Sequence, residues 1–147
     1  MHAMEISLTA LDVEWRRLEV IADNLANAGT VRTATGGPFR AHHLVSGPKV
    51  DFKDYLEGDN KSLSIDIHKL SGVSVYSIEE VESPPRKVHE PGNPLADSDG
   101  FVEYPAIDHA QQMTLMVRTS RAYEANIVAM NTARQMYSKA LDLGRRS

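Results

Sequence analysis

The sequence predicts an α+β fold in which long N- and C-terminal helices form a coiled-coil-like pair with a small antiparallel β module between them. Apolar residues recur every three and four positions near both ends of the chain, and strand-like alternation replaces that period in the middle. Such a period of about 3.5 residues is typical of coiled-coil helices. We therefore expect an N-terminal helix within residues 1–30, a β module with loops at 31–106 and a long C-terminal helix at 107–147.

The C-terminal helix is predicted from an uninterrupted pattern. No Gly or Pro occurs in residues 107–143, a length that corresponds to roughly 55 Å of helix. A compact domain of this size is roughly 40 Å across, so the helix needs a partner beyond its own core. The predicted seam comprises Met113, Met116, Ser120, Tyr123, Ile127, Met130, Arg134, Tyr137 and Leu141. Polar seam positions weaken a single pair and set register among several helices.

The N-terminal helix shows the same spacing. Its predicted seam comprises Leu8, Leu11, Trp15, Leu18, Ala22 and Leu25, with charged residues between them. We expect this helix to end at residues 27–29, with Gly29 as a left-handed cap. The pattern alone leaves open a second arrangement, in which both helices simply pack on a sheet as part of one compact domain.

The middle of the chain predicts short strands. They fall at residues 39–46, 62–68, 73–81 and 101–104, and a turn at 69–72 would join the second and third as a hairpin. Residues 50–61 are polar enough for a loop, and the prolines in 82–94 predict an irregular, partly polyproline connector.

Charge, hydropathy and cysteine content argue against several classes of function. The net charge of −4 comes from intermixed acids and bases, which argues against nucleic-acid binding. No apolar run approaches the roughly 18 residues of a transmembrane helix, and no secretory signal is apparent, so we expect no direct membrane insertion. The absence of cysteine excludes disulfides and thiolate metal sites. It suits a cytosolic protein or one that is exported unfolded by another route.

The usual signatures of catalysis are missing. There is no glycine-rich phosphate loop, no zinc-protease histidine pair and no nucleophile elbow. Residues 97–100 look like the middle of a calcium loop, but Leu95 and Ala106 would occupy its first and last ligand positions. A tight turn explains that segment better. We expect no catalytic residue, no cofactor, no metal and no small-molecule substrate, and hence no enzyme.

Four segments carry a resemblance. They are IADNLANAGT at 21–30, GGPFRA at 36–41, NPLADSDGFVEYPAID at 93–108 and SRAYEANIVAMNTARQMYSKALDLG at 120–144. Together they resemble the FlgC family of flagellar basal-body rod proteins, within the rod and hook axial proteins. The NLANA stretch is shared across that class, whereas PLAD, YEAN and LDLG favour the proximal-rod branch.

The resemblance implies a structural role. Members of the family assemble with related rod proteins and with copies of themselves into the periplasmic drive shaft, after type III export without a cleaved signal. Their terminal helices form the inner tube, with the β module outside. The assembly interface expected on this basis is Leu11, Trp15, Leu18, Asn24, Leu25, Asn27, Met116, Tyr123, Asn126, Ile127, Met130, Tyr137 and Leu141. The alternative is a cytosolic helical adaptor or flagellar export chaperone.

Overall fold

The structure, a computed structural model, describes residues 2–49 and 72–145 and confirms the α+β prediction. Two helices flank two small antiparallel strand pairs. In chain order the elements are α1 (His2–Ala26), β1 (His42–Pro48), β2 (Val73–Glu80), β3 (Arg86–His89), β4 (Phe101–Tyr104) and α2 (His109–Gly144).

The two helices run antiparallel. The Trp15 ring lies 6.2 Å from the Tyr123 ring, and Asn24 Nδ2 lies 3.4 Å from Gln112 Oε1. Moving back along α1 therefore corresponds to moving forward along α2, which places the start of α1 near Arg134. Every described residue from Arg134 to the end of α2 is exposed. We call residues 134–145 the overhang, because the last part of α2 and the cap residue Arg145 extend beyond α1.

The buried face of α1 differs from the predicted N-terminal seam. Val13, Val20 and Ile21 are buried, whereas Leu8 and Trp15 are 53% and 54% exposed. The helix is covered on two sides, since it contacts α2 and also β1 and β2. A seam prediction that assumes one partner helix therefore misplaces the buried stripe. Of the predicted seam, Leu8, Trp15 and Ala22 are exposed in the single subunit, although Trp15 does contact Tyr123 of α2.

The first sheet pairs β1 with β2, from His42 opposite Glu80 to Pro48 opposite Val73. The register shifts between Val45 and Ser46, because Tyr76 is an extra residue on β2. This bulge lets Val75 and Ile78 both lie beside α1, where each lines a groove with α1 residues. The predicted strand 62–68, the loop 50–61 and nearly all of the turn 69–72 lie outside the described residues.

The second sheet contains a strand that the sequence did not predict. Residues 82–94 were expected to be irregular, but β3 lies within them and pairs with the predicted strand β4. The prolines flank β3 without entering it, so its backbone N–H groups remain free to pair. Val88 lies opposite Val102, which is fully buried.

Two predicted turns have different outcomes. Gly29 does not adopt a positive φ, so the left-handed cap is wrong; the side chain of Asn27 instead donates to the Asp23 backbone carbonyl. The tight turn at residues 97–100 is confirmed. Gly100 has φ 78°, and the Asp97 carboxylate accepts from the backbone N–H of Phe101.

Candidate assembly interface

A buried asparagine joins three elements. Asn24 on α1 is 2% exposed. Its Oδ1 accepts from the His42 backbone N–H at 2.8 Å, and its Nδ2 donates to the His42 carbonyl at 2.8 Å. The same Nδ2 lies 3.4 Å from Gln112 Oε1 on α2. Asn24 therefore connects α1, the start of β1 and the start of α2 inside one subunit.

The second asparagine of this motif stabilises the end of α1. Asn27 Nδ2 donates to the Asp23 carbonyl at 3.0 Å and to the Asp23 carboxylate at 2.9 Å. Its Oδ1 accepts from the Thr30 hydroxyl at 3.1 Å. These bonds fix the turn that leads from α1 toward the sheet. Both asparagines were expected at an assembly interface, and both have partners within the subunit.

A larger group of the expected interface residues lies between the two helices. Tyr123 packs against Trp15, and both remain partly accessible. The Trp15 indole N–H donates to Glu19 at 3.1 Å. The other members of this group are half-buried: Leu11, Leu18, Leu25, Met116, Asn126, Ile127 and Met130. The contact inside one subunit thus covers these side chains only in part.

The remaining expected residues, Tyr137 and Leu141, lie on the overhang. They are 50% and 53% exposed, and their neighbours Met136 and Leu143 are 66% and 70% exposed. Apolar side chains at such density along a helix are typical of a protein contact. Among the described residues, α1 stops short of covering them.

The outward face of α2 carries further apolar residues that the seam prediction missed. Val117 and Val128 are 52% and 63% exposed. They lie off the predicted seam, so a single three-four pattern could not find them. A helix with apolar residues on more than one face is consistent with several helical neighbours.

The polar contact between Thr9 and the start of β2 was also missed. The Thr9 hydroxyl accepts from the Val73 backbone N–H at 3.1 Å and donates to the Ile6 carbonyl at 2.8 Å. The preceding Gly72 has φ 115° and leaves no room for a Cβ beside Thr9. An isolated threonine in an apolar helical stretch was the only sequence signal for this contact.

The helices carry opposite charge. α1 contains five acidic side chains and two arginines, which gives it a net charge of −3. α2 contains four basic and two acidic side chains, which gives it a net charge of +2. Among the described residues, Arg118, Arg121 and Arg134 form no ion pair, whereas Asp12 pairs with Arg16 on its own helix.

The described residues offer little for chemistry. They contain no cluster of His, Asp or Glu that could hold a metal, and no helix among them has the length and hydropathy to cross a bilayer. Tyr104 donates to the Glu90 carboxylate at 3.1 Å, and this bond raises the pKa of the phenol. Arg86 lies 5.7 Å from the same ring. This partly buried cluster joins β4 to β3 and the residue that follows β3.

Comparison with known proteins identifies the family to which the chain belongs. Residues 98–143 match the family model described as the C-terminal region of flagellar basal body rod FlgEFG proteins. The flagellar basal-body rod protein FlgC of Salmonella typhimurium is 37% identical over 98% of this chain and 97% of its own length. This chain belongs to the FlgC family. Its FlgC relatives include those of Borreliella burgdorferi, 34% identical over 95% of this chain and 93% of the relative, and Bacillus subtilis, 32% identical over 98% and 97%.

FlgC proteins are structural, which agrees with the expectation of no enzyme from the sequence. The match to this family spans both helices and the β module, whereas the FlgEFG model covers only residues 98–143. The resemblance first seen in four segments therefore extends over nearly the whole chain.

Proposed function

We propose that this chain is a subunit of the proximal part of the flagellar rod, within the periplasmic section of the basal body. A structural role in the basal-body rod follows from membership of the FlgC family. The structural observation that supports assembly is the overhang, where Tyr137 and Leu141 remain half exposed. A helix with such a surface gains stability when other helices cover it.

Assembly with other rod proteins would use the faces that remain open on the helix pair. Tyr123 already packs against Trp15 of α1, and Ile127 and Met130, four and seven residues later on the same face of α2, are likewise half-buried. Further helices would bury what is left of these side chains, at about 25 cal/mol for each Å² of apolar surface covered. The expected interface residues on the two helices are proposed to act in this way. In this proposal the module at residues 31–106 faces outward.

Fractionation of cells tests the proposal. Basal bodies are purified from the source bacterium and from a strain in which the gene is deleted, and the chain is detected with an antibody. We expect the chain in the rod-containing fraction, and loss of swimming in the deletion strain. A chain found only in the soluble cytosolic fraction would instead support the adaptor or export-chaperone alternative.

Export through the flagellar type III apparatus is a separate part of the proposal. The chain has no cysteine, so it can be threaded unfolded and refolded without covalent repair. In a strain that lacks a functional export gate, we expect the chain to accumulate inside the cell while its synthesis continues. Recovery of the chain outside the inner membrane in that strain would contradict this route.

A further inference from the structure

Two rows of exposed residues follow one side of α1. Residues seven positions apart lie about two turns apart on the same face of a helix. Acidic side chains form one row, at Glu5, Asp12 and Glu19, and side chains without charge form the other, at Leu8, Trp15 and Ala22. All six are exposed. We call these six residues the α1 stripe.

The overhang has the complementary character. It carries three basic residues, Arg134, Lys139 and Arg145, against the single acid Asp142. Its apolar side chains are among the most exposed of the described residues, with Met136 at 66% and Leu143 at 70%. An apolar surface with basic residues is therefore present on one helix end, and an apolar surface with acidic residues on the other helix.

The overhang cannot reach the stripe of its own chain. The antiparallel pairing places the start of α1 near Arg134, so α2 leads away from α1 beyond that point. The lengths of the two surfaces nevertheless correspond. From Leu8 to Ala22 the stripe extends about 21 Å, and the overhang measures about 18 Å.

We propose that the overhang of one copy packs on the α1 stripe of a second copy of this chain. The exposed Arg16 beside the stripe pairs with Asp12, so this side of α1 carries three acids against one base. Opposite charges therefore favour its contact with the basic overhang, whereas two α1 helices or two overhangs would bring like net charges together. The inference rests on the proposed function, because it names the partner of a surface already assigned to assembly.

The contact is heterologous, since each copy contributes a different surface. After two copies meet, one stripe and one overhang remain free, and a third copy can add to either end. Such a contact propagates into a ring or a helical array. This property is the one that a tubular structure needs.

Cross-linking tests which surfaces meet. The chain contains no cysteine, so single-cysteine variants can be made without background reaction. A Leu8→Cys chain is mixed with a Leu141→Cys chain at high concentration and treated with a bis-maleimide cross-linker. Both positions are 53% exposed, so neither change should disturb the fold. We expect the mixed dimer to exceed by about tenfold the dimer formed by either variant alone.

A matched control uses an exposed position outside both surfaces. Glu82 is exposed and lies between the two sheets in sequence. Glu82→Cys mixed with Leu141→Cys should give no dimer above the level of random collision. Equal yields for Glu82→Cys and Leu8→Cys would overturn the proposal.

Charge reversal gives an independent readout. One variant carries Arg134→Glu with Lys139→Glu, and the other carries Glu5→Lys with Asp12→Lys. Trp15 is the only tryptophan, so its burial in the contact should shift its fluorescence to shorter wavelength as concentration rises. We expect each variant alone to lose the shift, with roughly tenfold weaker association, and the mixture to regain it. Circular dichroism checks that each variant retains its helices.

Two outcomes separate this inference from the proposed function. If the mixture fails to regain the shift, the self-contact is wrong. If the Leu141→Cys chain cross-links in basal bodies only to a different rod protein, the self-contact is likewise wrong while the rod function stands. Absence of the chain from basal bodies would overturn both.

Discussion

The side chain of Asn24 pairs with the backbone of His42 through two hydrogen bonds, each 2.8 Å long. The amide offers one donor and one acceptor in the arrangement that a neighbouring strand residue would present. Because Asn24 is 2% exposed, this pairing is shielded from water. It fixes the end of α1 to the start of β1, and through Gln112 to the start of α2.

The first prediction replaces this amide by a carboxyl group. Asn24→Asp removes the donor that faces the His42 carbonyl and buries a negative charge, which should lower the free energy of unfolding by about 3–5 kcal/mol at neutral pH. Burial raises the pKa of the new carboxyl above its unfolded value. The destabilisation should therefore be smallest below about pH 4 and grow as the pH rises. Thermal unfolding at several pH values measures this trend.

Asn126→Asp is the matched control for that variant. Asn126 is half-buried on α2, and its side chain has no hydrogen bond among the described residues. Its replacement should lower the free energy of unfolding by less than about 1 kcal/mol, and this change should depend little on pH. A similar pH profile for both variants would show that Asn24 is not the specific connection.

The second prediction concerns the contact between the helices. Ile127→Asp would place a charge between α1 and α2 and, in the assembled rod, bury it without a partner, at a cost of several kcal/mol. We expect loss of swimming in soft agar and loss of the chain from purified basal bodies. Secretion should persist, because in the proposed route the chain is exported unfolded.

Ala129→Asp serves as the control on the opposite side of that helix. Ala129 is exposed, so its charge stays solvated in the free subunit. The free energy of unfolding of the Ala129→Asp subunit should differ from that of the unmodified subunit by less than about 0.5 kcal/mol. If the Ile127→Asp strain swims normally, the face of α2 that contacts other helices has been misassigned.

The third prediction uses two glycines. Gly72→Ala must adopt φ 115° and place its Cβ against Thr9, so it should destabilise the subunit by about 1–3 kcal/mol. Gly92→Ala has no atom within 4 Å of the new Cβ and no positive φ, so it should be nearly neutral. Urea unfolding of both variants makes the comparison. Equal midpoints would contradict the close contact between Thr9 and the start of β2.

Patterns along the sequence predicted where the helices lie. They did not predict which helix face is buried, because that depends on how many elements pack against the helix. The extent of α2 followed from a continuous period and the absence of Gly and Pro, both of which are properties of the chain itself. The buried stripe of α1 did not follow, because Val13 and Ile21 are buried by packing on two sides rather than one. A pattern along one helix contains no information about how many neighbours it has.

The strands show the same limit. β4 and the turn before it were predicted from Asp97 and Gly100, whose roles are local. β3 was missed because only four residues between prolines form it, too few for alternation to appear. The start of α2 can be predicted from the sequence. The Asp108 carboxylate accepts from the Ala110 N–H at 2.9 Å, and an Asp directly before a helical pattern is a known capping signal.

For the interface, the structure shows which of the predicted residues have partners inside the subunit and which are open to others. Tyr137 and Leu141 are exposed on the overhang, as a surface for partners requires. Asn24 and Asn27 were grouped with them because of their motif, yet their hydrogen bonds stay inside the subunit. A polar side chain on a helix can stabilise the fold of the subunit as readily as a contact between subunits, and only the three-dimensional pairing separates the two.

Hydrogen–deuterium exchange of residues 134–145 tests the central claim most directly. The measurement compares the free subunit with the same chain in isolated basal bodies. In the free subunit the overhang should exchange within seconds, because no described element covers it. In basal bodies its amides should exchange at least about a hundredfold more slowly, since neighbouring helices would cover them. Equal, rapid exchange in both states would show that the overhang is not an assembly surface and would contradict the account.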